Sequence, residues 1–192
     1  MRLPDGTVRK LRRSAEGAGC AHELTFSCYR RLPLLASEPS RGFLIEALST
    51  ARKKYDFELW AYVLMPDHVH LLLLPRDPNY RIRTLLQGIK QPVARRTIDF
   101  LKSARPDLLG DLRVPDANSA DAPRFQFWQP GGGYDRHVVN ARTAWRIVAY
   151  IHNNPVNRGL AACPTDWAWS SARQYAGWGG VLLEMDGRPP DE

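Results

Sequence analysis

Two imidazoles, a phenol and an amide are the groups in this chain whose types and spacing could do chemistry. His68-Val69-His70 carries its two rings at i and i+2. Side chains two apart on a strand share one face, so on a strand these rings project together. Rigidly held imidazoles form a partial chelate that suits Mn, Fe, Ni, Cu or Zn, whereas Mg needs further oxygen ligands. Some eighty residues later comes Tyr150-Ile151-His152-Asn153-Asn154-Pro155. On a helix Tyr150 and Asn154, at i and i+4, point the same way. The Asn154 carbonyl would be a hard oxygen completing a two-His, one-oxygen site. A phenol with its ordinary pKa of about 10 needs help to attack phosphorus, and a metal ion on the phosphate gives it by withdrawing charge. A divalent-metal site and a tyrosine nucleophile are the minimum for cutting and rejoining a phosphodiester strand. The plainer alternatives are a hydrogen-bonded histidine pair beside a turn, a half-buried helix tyrosine, and Asn154-Pro155 as a helix stop.

Three neighbours compete for roles. His152 is set off around the helix from both Tyr150 and Asn154, which suits a supporting or structural residue. Tyr134, after Gly131-Gly132-Gly133, is the rival nucleophile, although nothing near it in sequence resembles a ligand. Tyr62 reads as a strand residue.

These groups need a scaffold, and the alternation of the chain supplies one. Residues 22–29 alternate around Leu24, Phe26 and Cys28 as a strand. After a connection at 33–39, residues 42–57 place Phe43, Leu44, Ala47, Leu48 and Ala51 at helical spacing. Residues 57–64 and 68–74 are two strands, and Met65-Pro66-Asp67 is the turn of their hairpin. A helix is expected over 81–104, kinked or broken at Pro92. An exposed loop is expected over 105–123, a strand over 124–129, a flexible joint at the glycine triplet, and a helix over 138–153 that Pro155 ends or bends. Ser171 to Gln174 has the S-x-x-Q form of a capping box. The order predicts an α+β domain: an antiparallel sheet with helices packed on one face and the other face free. Residues 1–20 are expected to be a flexible basic arm, 21–177 the domain, and 178–192 a mobile tail.

Bulk properties set the class. The chain has 192 residues, enough for one domain with a proper core. Its 44% hydrophobic and 24% charged content is ordinary for a soluble globular protein. A net charge of +7 and a pI near 9.6 favour a polyanionic partner. Arg81, Arg83, Lys90, Arg95, Arg96, Lys102 and Arg105 crowd one helical region with Asp99 as the counter-charge, a stripe that could follow a phosphate backbone or be a solvated face. Of the tryptophans from Trp128 to Trp178, some could stack on unpaired bases, while most belong to a core. Cys20, Cys28 and Cys163 are too scattered for a disulfide framework or a CxxC zinc site, so reduced thiols in a cytoplasmic protein are expected. No apolar run approaches membrane-spanning length.

The stretch from Tyr62 to Leu72 (YVLMPDHVHLL) resembles the signature of the IS200-like single-tyrosine (Y1) transposases of the HUH nuclease superfamily. Tyr150 to Leu160 (YIHNNPVNRGL) is similar to the YIHxNPVxxGL segment of the branch associated with repetitive extragenic palindromes. Phe127 to Pro130, Tyr134-Asp135, and Trp169 to Tyr175 resemble further blocks of that branch. The resemblance implies a ferredoxin-like sheet with the His pair on a central strand. It implies that Tyr150 attacks a phosphate, giving a 5′-phosphotyrosine and a free 3′-hydroxyl, with His68, His70 and Asn154 binding Mg²⁺ or Mn²⁺. The implied substrate is single-stranded DNA beside a small imperfect hairpin. It implies a monomer with a complete site, a homodimer being the alternative. The glycine triplet, Asn157-Arg158 and Pro92 depart from the family pattern. Two rival classes remain: a non-catalytic nucleic-acid-binding module, and a metal-dependent hydrolase that uses water and leaves no covalent adduct.

Overall fold

Alternating apolar and polar residues make four strands, and their hydrogen bonds fix which faces meet. The computed structural model describes residues 19–115 and 124–191. Most of the expected basic arm and the segment 116–123 of the expected loop lie outside the described residues. Strands β1 (Ala21–Ser27), β2 (Phe57–Leu64) and β3 (His68–Pro75) form an antiparallel sheet. A two-residue pair, β4 (Arg113–Val114) with β5 (Arg124–Phe125), stands apart from it. Strand β6 (Tyr134–Val138) completes the main sheet, whose order is β2-β3-β1-β6. The His-x-His strand β3 is therefore central, as expected. The expected strand at 124–129 is corrected: only Arg124 and Phe125 are in a strand, and the fourth strand of the sheet is β6 instead.

Each face of the sheet has its own cover. Helix α1 (Glu38–Tyr55) starts at an N-cap where Ser37 Oγ accepts from Ser40 N, with Pro39 tolerated in the first turn. It therefore begins earlier than the expected 42. Helix α2 (Ile82–Ala104) runs unbroken through Pro92, where a kink or break was expected. These two helices bury Leu24, Phe26, Val69, Leu71 and Leu73 on one face of the sheet. A short helix α3 (Pro106–Leu112) follows where a loop was expected. Helix α4 (Ala141–Asn157) packs on the opposite face, setting Ala144, Ile147, Val148 and Ile151 against Ala61, Val63 and Leu72. Helices thus lie on both faces, not on one, because α4 carries an apolar stripe of its own that must be buried. Pro155 does not end α4: it sits in the last turn, where a missing N–H removes only one bond.

The chain end also departs from expectation. Segment 178–191, read as a mobile tail, is packed: Leu183 and Met185 are buried. Strand β2 is an edge strand, and its unpaired backbone groups need partners. Asp186 Oδ2 accepts from Leu59 N at 3.0 Å, Trp169 O accepts from Leu64 N at 2.8 Å, and Tyr62 O accepts from Ser171 N at 3.1 Å. The domain therefore continues past residue 177. Helix α5 (Ala172–Tyr175) follows Ser171, but the capping box does not form, because Ser171 Oγ is engaged by Tyr62 N at 3.0 Å and His152 Nε2 at 2.8 Å. Among the described residues no helix is long and apolar enough to cross a membrane.

The glycine triplet leads into β6 under tight constraint. Gly131 and Gly133 have φ of 91° and 77°. A Cβ on Gly133 would stand 2.1 Å from the Thr25 carbonyl oxygen, whereas one on Gly131 would meet nothing within 4 Å. We expect Gly131→Ala to cost about 1–2 kcal/mol, the left-handed penalty alone. Gly133→Ala should cost clearly more and loosen β6. Urea denaturation of both variants checks this ordering, and equal losses would contradict it.

Candidate active site

The register of β3 decides where the chemistry sits. Thr25 lies opposite His70 and Ser27 opposite His68, with Val63 flanking His70 on the other side. Because Val69, Leu71 and Leu73 point toward α1 and α2, His68 and His70 point toward α4. Their rings stand edge to face with centroids 4.8 Å apart, and both are buried.

Each imidazole is oriented through Nδ1. His68 Nδ1–H donates to Asp67 Oδ1 at 2.6 Å, and Arg31 Nη1 donates to the other carboxylate oxygen at 3.2 Å. His70 Nδ1 is 2.8 Å from Thr25 Oγ1. Such partners fix the tautomer and leave Nε2 as the ligand nitrogen. Burial holds both rings below the usual histidine range, His70 at about 3, where the neighbouring His68, Arg31 and Arg158 add to the effect. Asp67 partly opposes the shift of His68. Both rings are therefore neutral at neutral pH, the form that binds a metal ion.

Helix α4 brings the other groups. Tyr150, about half exposed, sets its ring edge to face with His70 at 5.4 Å between centroids. One turn on, Asn154 is buried and its Nδ2–H donates to His70 Nε2 at 3.2 Å. Its Oδ1 is buried with no hydrogen-bond partner. An orphaned amide oxygen beside two neutral imidazoles is a donor set that fits a divalent ion. His68, His70, Tyr150 and Asn154 thus share one cavity of about 370 Å³ with Glu23, Thr25, Arg31, Tyr134 and Arg158.

All five of these neighbours were missed or misjudged from sequence. Arg158 is four residues past Asn154, so helical spacing could have found it. Arg31 could not have been found: its φ of 58°, after 51° at Arg30, is a left-handed pair closing a single 3-10 turn over Tyr29–Arg31. That turn is held by Tyr29 N donating to Phe127 O at 2.8 Å and Arg30 N to Gln129 Oε1 at 3.1 Å. Tyr134, read as remote from any ligand, pairs with Thr25 and lines the same cavity. Glu23 is buried beside it with Oε2 lacking a hydrogen bond, and burial raises its pKa despite Arg136 at 3.7 Å. His152 lies away from the cluster, since two residues turn a helix by about 200°. It packs against Ser171 and Tyr175 as a structural group.

The basic residues of α2 are on the other side of the sheet. Arg83 and Lys90 line a groove of about 730 Å³ with Phe125, Phe127, Trp128 and Gly131. Arg81 and Arg95 are exposed outside that lining. Arg96 is engaged within the protein, pairing with Glu46 and lying 4.2 Å over the Phe43 ring. Trp128 is a packed residue whose Nε1–H donates to Lys90 O at 2.8 Å, while Trp178 is half exposed.

Comparison with known proteins agrees with this architecture. Residues 18–110, which include both histidines but not Tyr150, match the family described as "Transposase IS200 like". The chain is 30% identical over 121 residues to a Haemophilus influenzae protein described as a REP-associated tyrosine transposase, covering 61% of this chain. It spans only 60% of that relative's length. A solved REP-associated tyrosine transposase bound to a REP hairpin superposes with a TM-score of 0.64 at 19% identity, over 96% of this chain and 99% of that one. Residues 18–110 are thus similar to the IS200-like transposases, and the whole chain shares the fold of the solved REP-associated tyrosine transposase.

The buried His152 makes stability depend on pH. Burial lowers its pKa from 6.5 to about 4. Between those values the unfolded chain holds a proton that the folded chain does not, so stability rises with pH and is lost on acidification. We expect urea midpoints of the metal-free protein to fall from pH 7 to pH 5, and His152→Gln to remove roughly 1.4 kcal/mol per pH unit of that slope. An unchanged slope in the variant would show that His152 does not contribute.

Proposed function

We propose that this protein is a metal-dependent tyrosine DNA strand transferase that cuts and rejoins single-stranded DNA beside a hairpin. The observation that carries the reading is Tyr150 standing over His70, in a cavity flanked by the cations of Arg31 and Arg158. Tyr150 Oη attacks the scissile phosphorus and loses its proton. The bond from phosphorus to the 3′ oxygen breaks, and that oxygen takes up a proton to become a 3′-hydroxyl. The 5′ phosphate stays on the tyrosine, and attack by a 3′-hydroxyl reverses the step without external energy. Arg31 and Arg158 hold the phosphate oxygens and offset their charge. His68, His70 and Asn154 would hold Mg²⁺ or Mn²⁺, and what a divalent ion supplies there is charge withdrawal from the phosphate.

Hairpin DNA is favoured as substrate because the solved protein of the same fold is bound to a REP hairpin. The groove beside α2 suits a second stretch of the strand, with Arg83 and Lys90 on phosphates and Arg81 and Arg95 extending the basic surface. Arg96 contributes less, being paired with Glu46. One chain brings its own tyrosine to its own histidines, which supports a monomer with the site complete in cis.

The test is a denaturing gel of the protein with labelled single-stranded hairpin DNA and Mn²⁺, with and without chelator. A metal-dependent protein–DNA band is expected. Tyr150→Phe should lose it on the order of 10³-fold or more while still binding DNA, whereas Tyr134→Phe should keep it. A band that survives in Tyr150→Phe and vanishes in Tyr134→Phe would transfer the role. Cleavage without a band would replace this reading with a hydrolase that uses water, and hairpin binding without metal-dependent cleavage would replace it with a binding module.

A further inference from the structure

A second group of metal-ligating side chains lies on the opposite face of the sheet from the His68–His70 pair. His22 on β1 and His137 on β6 are direct cross-strand partners. Asp135 is two residues before His137 and so shares its face. The ligand atoms of His22, Asp135 and His137 all lie within 4.8 Å of one another. His22 is fully buried, and its ring stands 4.5 Å from that of His137. Its Nδ1 faces Asp135 Oδ1 at 2.8 Å, and its Nε2 meets Tyr80 OH at 2.6 Å. On β1 this face also carries Leu24 and Phe26, under α1 and α2, whereas Thr25 faces the cavity of Tyr150.

We propose that His22, Asp135 and His137 form a structural site for zinc or a similar transition-metal ion, fastening the edge strand β6 to β1. Two imidazoles and a carboxylate are a donor set for zinc, with a solvent molecule as the fourth ligand. Ligand atoms around tetrahedral zinc lie about 3.3 Å apart, given bonds of roughly 2.0 Å. Small adjustments therefore suffice: His22 and Asp135 open slightly and His137 closes in. Asp135 and His137 are partly exposed on a short edge strand and have room to move, while buried His22 is the fixed point. With a metal ion on His22 Nδ1, the single proton of the neutral ring sits on Nε2, where the Tyr80 oxygen accepts it. An oxygen partner on the far nitrogen is the support that ligating histidines ordinarily have. The consequence reaches the other face, because β6 also carries Tyr134. The site is independent of the strand-transfer reading.

The experiment uses the full chain with His68→Ala and His70→Ala, which removes the other histidine pair. Metal-stripped protein is titrated with Co²⁺, followed by d–d absorption, and with Zn²⁺ in equilibrium dialysis. The proposal expects one equivalent bound, a four-coordinate cobalt spectrum, and a thermal midpoint that rises with zinc. Adding His137→Ala or, separately, Asp135→Asn should weaken binding by at least about 10-fold, the lower end of the effect of altering a zinc site's surroundings. Circular dichroism checks that each variant is folded, and having two variants keeps the test decisive if one of them does not fold. No bound equivalent in the double variant, or binding unaltered by both further substitutions, would overturn the proposal.

Discussion

The alternation of β3 is the constraint on which the rest depends. Val69, Leu71 and Leu73 are sealed under α1 and α2, and burying each is worth about 1.5–3 kcal/mol. A slip of one residue would move all three out of that core and drive His68 and His70 into it. The register is therefore held by apolar packing, and the imidazoles take the face that remains. That face is closed in turn by the apolar stripe of α4, which loses its burial if the helix moves. Two ordinary cores, one on each side of the sheet, hold the four chemical groups at one place.

Burial of those imidazoles is costly unless each has a partner, since a polar group removed from water needs a hydrogen bond. The fold meets this unequally. Nδ1 of each ring is satisfied from outside α4, by Asp67 in the hairpin turn and Thr25 on β1. The groups facing the cavity are left less satisfied: the Asn154 carbonyl has no partner. The unmet polar capacity therefore points into the cavity, and so do the cations of Arg31 and Arg158. An anion together with a cation between it and the imidazoles would complete the set.

Local periodicity made the hairpin, the three long helices α1, α2 and α4 and the pairing of Tyr150 with Asn154 legible, because each needs only neighbours within a few residues. The failures have long-range causes. Strand β6 reads as Tyr-Asp-Arg-His-Val, too polar to suggest a strand, because as an edge strand it buries little. Residues 178–186 read as a mobile tail because what orders Asp186 is the edge of β2, far away in sequence. Ser171 had the spacing of a cap, but a buried histidine and a strand amide compete for its hydroxyl. Thr25 carried no signal, since its role exists only through its register with His70. The second face of the sheet was expected to be free, and the apolar stripe of α4 covers it instead.

Strand β6 and helix α4 are joined by only Val139 and Asn140, and Asn140 Oδ1 accepts from Thr143 N at 2.8 Å to start the helix. The two elements are thus positioned together. Tyr134 at the start of β6 and Tyr150 in α4 reach one cavity by consecutive pieces of chain, the first anchored through Gly133 against the Thr25 carbonyl. A displacement of β6 along β1 would shift the start of α4 with it, and so move Asn154 relative to His70. Five residues of edge strand are a weak anchor for that duty. Cross-strand contacts on the far face, His22 with His137 and Asp135, add to the backbone ladder where it is weakest. The precision of the tyrosine's placement over the histidines therefore rests in part on side chains on the other side of the sheet.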